Sequence, residues 1–488
     1  MRETAQRFVA CDRGRPAEMF GMRYLWRLLS AVTLLTTSLA AQPVAPAPAT
    51  PPTPEEEMLR KFYTEALTHG AAYENVSTLV TKFPGRLSGS KALEGAVVWG
   101  EQTLNALGLD RVYKQDVMVP HWERGEKEAV MMLNASGAEM LSAVALGGSV
   151  PTPKLGLHGE VVEVKSLDEL VALGSAKLTG KIVFFNRPMD PTLINPHTAY
   201  GGAGDQRNRG PAAAAELGAI GALTRSLTHA RDDLPHTGAT AYKPGGPNIP
   251  AAALSTRSAD KLSAALAGGG TVRVTMKIGS QWLPEAPSHN VIGEIRGSEF
   301  PEQIILVGGH LDSWDIAPGA HDDGTGVTQS IEVMRLFKVL GIKPRHTLRC
   351  VLFTAEENGL AGALKYAELA KAAGEKHVLA IETDSGGFQP RGFALGSTQG
   401  KAHEKAARWR PLFEPYGITS FSLGRGGADV APLMLQGATV GSLAPESQRY
   451  FDIHHTTADS LDKVNARELH IGAASLAALL WLVDTQGL

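Results

Sequence analysis

From Asn290 to the C-terminus, short apolar runs alternate with amphipathic ones, and that alternation narrows the folds open to this chain. Residues 303–308 read as a strand and 325–340 as a helix. The pattern repeats at 347–354 and 360–372, then at 378–383 and 401–413, and a closing helix is expected over 469–483. Strands joined through helices give a largely parallel sheet covered on both faces. The predicted fold class is therefore α/β, a mostly parallel mixed sheet with helices on both faces.

The texture changes between 137 and 284. Short strands are expected at 181–185, 219–223, 249–253 and 272–278, with an Ala-rich helix at 211–217 and Gly/Pro turns between them. This reads as a small β-rich domain inserted into a larger one made of 55–136 and 285–488, where 55–66 and 90–107 are expected helices. A chain of 488 residues exceeds what one core usually serves, which agrees with two domains. His197, His229 and His236 fall in the insert without ligand spacing and read as ordinary surface or core histidines.

The N-terminal stretch reads as a leader. A basic start at Met22 precedes an apolar run at 28–39 and the small residues Ser38, Ala40 and Ala41. Residues 1–41 are expected to be a signal peptide with an upstream extension, and 42–54 a Pro-rich linker. The expected location is export, to the periplasm or beyond, without stable membrane insertion; no other segment reads as transmembrane. The cysteines are Cys11 and Cys350, so the mature chain keeps one thiol and no internal disulfide, and Cys350 reads as a buried strand residue. A net charge of −3 gives no basic excess for nucleic acid.

Polar clusters follow the apolar runs of the second half. They are His310-Leu311-Asp312, Gly319-Ala320-His321-Asp322-Asp323-Gly324, Glu356-Glu357, Asp384-Ser385-Gly386 and His454-His455-Thr456-Thr457-Ala458-Asp459. Singly, each is ordinary: His-x-Asp pairs are common at strand ends, Asp-Asp-Gly is usually a turn, and adjacent glutamates usually start a solvated helix. Together they put only His and carboxylates at the carboxyl ends of strands, where α/β sheets bind ligands. Such donors suit zinc and related divalent ions, and their number exceeds what one ion needs. Two ions sharing a bridging carboxylate would use them. A Gly-x-Ser-x-Gly elbow, a phosphate-binding Gly-rich loop and a His-Glu-x-x-His helix are all absent.

The set His310-x-Asp312, Gly319-Ala320-x-Asp322-Asp323-Gly324, Glu356-Glu357, Asp384 and His455-Thr456-x-x-Asp459 resembles the co-catalytic zinc exopeptidases. That family includes secreted bacterial aminopeptidases and glutamate carboxypeptidases. The likeness runs through nearly the whole mature chain, including Arg86-Leu87-Ser88-Gly89-Ser90 and Gly309-His310-Leu311-Asp312-Ser313-Trp314-Asp315. It implies the zinc exopeptidase fold, with the middle segment as a protease-associated domain. It also implies two zinc ions per chain: His310 and Asp384 on one, Glu357 and His455 on the other, Asp322 bridging. Glu356 would be the general base, and Asp312 would hold the His310 ring. The His-Thr-x-x-Asp spacing favours His455 over its neighbour as the ligand.

Some relatives carry a Tyr directly before the final His. Here that position is His454, so His454 and Tyr450 are both candidates for the oxyanion partner. Asp429 resembles an Asp near the substrate in relatives, and Arg425 is a candidate for meeting a peptide carboxylate. The resemblance further implies a short peptide substrate and a homodimer. The expected reaction is hydrolysis of dipeptides or short peptides by metal-activated water, with Glu356 taking its proton. Aminopeptidase action on longer peptides is the alternative. A non-catalytic receptor-like protein is disfavoured, because all five ligands and the base are present.

Overall fold

The strand Phe300–His310 shows why the second half folds as it does. Ile305 and Val307 point into one buried cluster, while Ile304 and Leu306 point into another on the opposite face. Side chains alternate along a strand, so a continuous apolar run needs cover on both faces. In this computed structural model, which describes residues 51–135 and 137–488, helices supply that cover. Pro54–His69, Lys91–Ala106, Thr325–Val339 and Ala466–Gln486 pack one face, and Ala361–Ala372 packs the other. The expected leader and most of the expected linker lie outside the described residues, as does Cys11. Pro54, expected to end the linker, instead opens the first helix. Thr53 and Glu56 there form a reciprocal capping pair.

The main sheet has eight strands, in the order Arg111–Glu123, Gln281–Ile295, His346–Phe353, Phe300–His310, Lys376–Glu382, Thr439–Pro445, Pro390–Gly396, Ser420–Leu423. Its centre is parallel and its flanks carry antiparallel pairs. From Phe300–His310 the chain crosses to His346–Phe353 on one side, then returns to Lys376–Glu382 on the other. The helices after the first two of these strands lie on opposite faces. A crevice therefore opens at the carboxyl ends, beside His310.

The second sheet also has eight strands, spanning Ala129–Asn134 through Arg273–Lys277. The expected domain boundary at 136/137 would cut its first hairpin, Ala129–Asn134 with Gly137–Leu141. Helices Leu167–Leu173, Pro196–Ala203, Gly210–Glu216 and Thr256–Ala267 accompany this sheet, so the segment expected to be β-rich is itself mixed α/β.

Three further differences have local causes. The helix expected at 401–413 is broken into Ala402–Ala406, a tight turn at Ala407–Trp409, and Arg410–Phe413. Pro411 has no N–H to continue the ladder. The edge strand Arg111–Glu123 has weak apolar alternation and shifts register at Pro120, a residue that edge strands tolerate. The closing helix Ala466–Gln486 is longer than expected, and long and apolar enough to cross a membrane. It is instead mostly buried against Pro54–His69, Thr325–Val339 and the sheet. Cys350 is fully buried in its strand, as expected.

Candidate metal centre

His310 ends the central strand, and its position is set from two sides. Its main-chain N–H donates to Asp323 Oδ2 at 3.1 Å, and Asp323 Oδ1 accepts from Gly326 N at 3.0 Å. Asp323 thus ties the strand end to the start of the next helix. Gly309 is required beside it, since a Cβ there would collide with the Asp323 carboxylate. The ring Nδ1 of His310 lies 3.1 Å from the main-chain oxygen of Asp312 and 3.6 Å from its carboxylate. A carbonyl only accepts, so Nδ1 carries a proton and Nε2 is the nitrogen that faces Asp322 and Asp384. Asp312, expected to hold this ring, faces it with both groups: its main-chain oxygen is the nearer, and its carboxylate also accepts from the N–H groups of Glu356 and Glu357, each at 3.1 Å.

Asp322 sits on the loop that leads out of the same strand. Asp459 accepts from His321 N at 2.7 Å and from Asp322 N at 3.1 Å, fixing that loop from the C-terminal side. The peptide bond between Asp322 and Asp323 is cis. Gly319 begins the turn at φ 66°, and a Cβ there would strike Ser313. Arg86, wholly buried, donates to the carbonyls of Leu311 at 2.7 Å, Pro318 at 2.6 Å and Gly319 at 3.0 Å. The loop is thereby clamped at both ends.

These supports bring residues more than a hundred positions apart into one cluster. His310 Nε2 lies 3.3 Å from Asp322 Oδ1 and 3.8 Å from Asp384 Oδ1. His455 Nε2 lies 3.2 Å from both Asp322 Oδ2 and Glu357 Oε2. Among the described residues two sets of donor atoms are close enough to hold an ion, His310 with Asp322 and Asp384, and Asp322 with His454 and His455. Asp322 belongs to both. His454 stacks on His455 with ring centroids 3.6 Å apart, and its Nε2 is 3.4 Å from Asp322 Oδ2. Tyr450 is buried, with its hydroxyl donating to Asp384 Oδ1 at 3.4 Å.

The donor set fits a divalent cation. Among the described residues His310 Nε2, Asp322 Oδ2 and Glu357 Oε1 are buried with no hydrogen-bond partner. An orphaned buried polar group costs on the order of 1–3 kcal/mol, more when charged. Like charges ~4 Å apart add about 4 kcal/mol of repulsion in a protein-like medium. A cation removes both penalties. Without one, protons take its place. Burial disfavours charge on His310 and His455, yet the carboxylates around them hold both well above the ordinary histidine range. Burial, and then Asp322, push Glu357 to about 7.

A cavity of about 340 Å³ opens onto this cluster, with Asp322, Glu356, Glu357, Asp384, His454 and His455 in its wall. Its roof comes from the second sheet's segment, in Tyr200, Arg207, Asn208 and Ala239. That segment also supplies Thr237, which sequence reasoning missed. Asp429 does not line the cavity: it is fully buried, and its N–H donates to Glu382 Oε2 at 2.7 Å. Arg425 is exposed and also lies off the cavity wall. His236 is a buried core histidine, and His197 is half-buried against Tyr450 and Phe451.

An α/β sheet with His and carboxylate donors at its switch point defines a metallohydrolase class. The sequence pattern of Peptidase family M28 matches residues 290–480. Carboxypeptidase Q of Bos taurus is 37% identical over 412 residues, covering 84% of this chain and 85% of that protein. The human protein of that name is 36% identical with the same coverage. The solved structure of a Peptidase M28 precursor from Shewanella amazonensis superposes with a TM-score of 0.84 at 35% identity, over 89% of this chain and 97% of that one. A zinc aminopeptidase from Bacillus subtilis shares the fold, with a TM-score of 0.61 at 20% identity over 84% and 94% of the two chains. The chain belongs to peptidase family M28 and is a metallo-exopeptidase of carboxypeptidase Q-like sequence.

Proposed function

We propose that this chain is a co-catalytic zinc exopeptidase that cleaves dipeptides or short peptides, with two ions per chain sharing Asp322. The observation that carries the reading is that the two oxygens of Asp322 face the Nε2 atoms of different histidines, at 3.3 and 3.2 Å. His310 and Asp384 would hold one ion, Glu357 and His455 the other. His455 is preferred to His454 because its Nε2 reaches Glu357 as well as Asp322. Zinc bound there would polarise the scissile carbonyl and lower the pKa of the attacking water.

The protein's own contribution is to hold and move a proton. Glu356 lines the cavity with its main chain pinned on Asp312. Burial, with Glu357 and Asp384 nearby, holds its carboxyl well above the usual range. Beside bound ions, which would offset that repulsion, its carboxylate would take a proton from water and return it to the leaving nitrogen. Asp312 is a positioning residue. His454 is the better oxyanion partner, since it lines the cavity while the Tyr450 hydroxyl is engaged with Asp384.

The same reading makes residues 1–41 a signal peptide with an upstream extension, residues 42–53 a tether, and the enzyme exported. It makes the segment around 137–284 a protease-associated domain and the assembly a homodimer. Its support is the basic-apolar-small order of the leader and the likeness to carboxypeptidase Q.

Incubating the zinc-loaded protein with dipeptides and with a pentapeptide tests the proposal. The expected result is dipeptide cleavage that a chelator stops and zinc restores. Stepwise release from the pentapeptide at equal or higher kcat/KM would favour the aminopeptidase alternative. No cleavage with both ions bound would favour a binding protein.

A further inference from the structure

Among the described residues, Arg207 is the only Lys or Arg in the wall of the metal cavity. It is 7% exposed, and among the described residues no carboxylate lies within 4.0 Å of its guanidinium. A buried, unpaired guanidinium is costly to keep unless something anionic arrives to meet it.

Its placement is built rather than incidental. Nη1 donates to the main-chain oxygen of Thr237 at 3.3 Å, and Nε to Asn208 Oδ1 at 3.4 Å. The guanidinium lies 5.3 Å from the centroid of the Tyr200 ring, and that ring meets His454 edge-on at 5.2 Å. Gly238, at φ 133°, leaves the room it occupies; a Cβ there would collide with the guanidinium. These contacts leave Nη2 with no hydrogen bond among the described residues. Because His455 Nδ1 lies 3.2 Å from the same Thr237 oxygen, the guanidinium and the metal-facing imidazole share one anchor.

Resting on the hydrolase reading above, we propose that Arg207 receives the free α-carboxylate of the substrate, one residue beyond the scissile bond. Successive Cα atoms are about 3.8 Å apart, so in a dipeptide the carboxylate follows the scissile carbonyl at close range. Arg207 lines the same cavity as the metal-facing side chains and shares the Thr237 anchor with His455, so its guanidinium is available to that carboxylate. A longer peptide would carry a neutral amide there and run its chain into the roof. The same cavity also offers acidic groups, Asp384 and Glu356, to the substrate amine. Arg207 is thus a specificity-determining residue that selects dipeptides with an unblocked C-terminus, and the second sheet's segment measures substrate length.

The test compares kcat and KM for leucyl-glycine and leucyl-glycine amide, using zinc-loaded wild type, Arg207→Gln and Arg207→Lys, each checked for a normal melting transition. A charge-assisted contact of this kind corresponds to roughly 10–100-fold. Wild type is expected to prefer the free acid by about that factor. Arg207→Gln should bring the acid-to-amide ratio toward one, mainly through KM, and Arg207→Lys should fall between. A wild-type ratio near one, or an equal loss on both substrates in Arg207→Gln, would overturn the assignment while leaving the hydrolase intact. If zinc-loaded wild type cleaved neither substrate, the hydrolase reading itself would fall, and this inference with it.

Discussion

Thr237 and His455 hold each other through two hydrogen bonds. The N–H of Thr237 donates to the carbonyl of His455 at 3.0 Å, and Nδ1 of His455 lies 3.2 Å from the carbonyl of Thr237. His455 has φ 61°, a backbone state that a β-rich or helical context would not enforce alone. The segment of the second sheet therefore sets the tautomer and aim of a side chain belonging to the main sheet's site.

Disturbing that pair should weaken the metal. In Gly238→Ala the new Cβ meets the Arg207 guanidinium, and the residue must keep a φ of 133° that side chains avoid. Loss of an orienting partner typically lowers metal affinity about 10–100-fold. Competition against a chromophoric chelator should show one weakened zinc step of that order. An unchanged titration would mean the Thr237 contact does not steer His455.

Glu356→Gln should bind zinc as wild type does and lose about 10²–10⁴ in kcat, the range general base catalysis supplies. Metal content and single-turnover rates on one preparation give both quantities. Retained turnover would remove Glu356 from the base role.

Arg86→Leu should destabilise the metal-free protein by about 3 kcal/mol or more, because three loop carbonyls lose their donor together. Arg86→Lys should rescue little, since a single ammonium cannot span the sites a guanidinium fork reaches. Denaturant midpoints measure both. The loop carrying Asp322 should loosen in parallel, seen as faster amide exchange at residues 311–324.

The pH dependence of stability has a contributor remote from the metal. Arg349 donates to the Tyr366 hydroxyl at 2.7 Å, and that hydroxyl lies 2.8 Å from His377 Nε2. The tyrosine proton points to the imidazole, which must stay neutral to accept it. Burial, and then the charge of Arg349, lower the His377 pKa to about 4. A folded pKa below the unfolded value of about 6.5 means the unfolded chain takes up the proton first as pH falls. The contribution is full above about 6.5 and disappears toward pH 4. His377→Phe should therefore flatten the loss of stability between pH 7 and pH 4.5. Parallel curves would contradict the neutral assignment.

Much of the main sheet and the ligand clusters was legible in the sequence. The apolar runs around His310, Glu356 and Asp384 carry their own strand signal, and each cluster follows its run directly. Asp312 was legible as a supporting residue, and which of its oxygens lies nearer the ring depends on loop geometry. Thr237, Tyr200 and Arg207 left no trace, since they reach the site only by packing of a segment with no ligand spacing. Arg425 was a plausible carboxylate partner by chain proximity to Asp429, yet both lie off the cavity wall. The strand Arg111–Glu123 was missed because an exposed edge with Pro120 needs little apolar alternation.

Equilibrium zinc binding to wild type and Asp322→Ala tests the shared-ligand centre most directly. Asp322 lies within reach of both histidines, so wild type should bind two ions per chain and the variant should lose high affinity for both. A single ion in wild type, or two tight ions in Asp322→Ala, would contradict a centre built around that bridge.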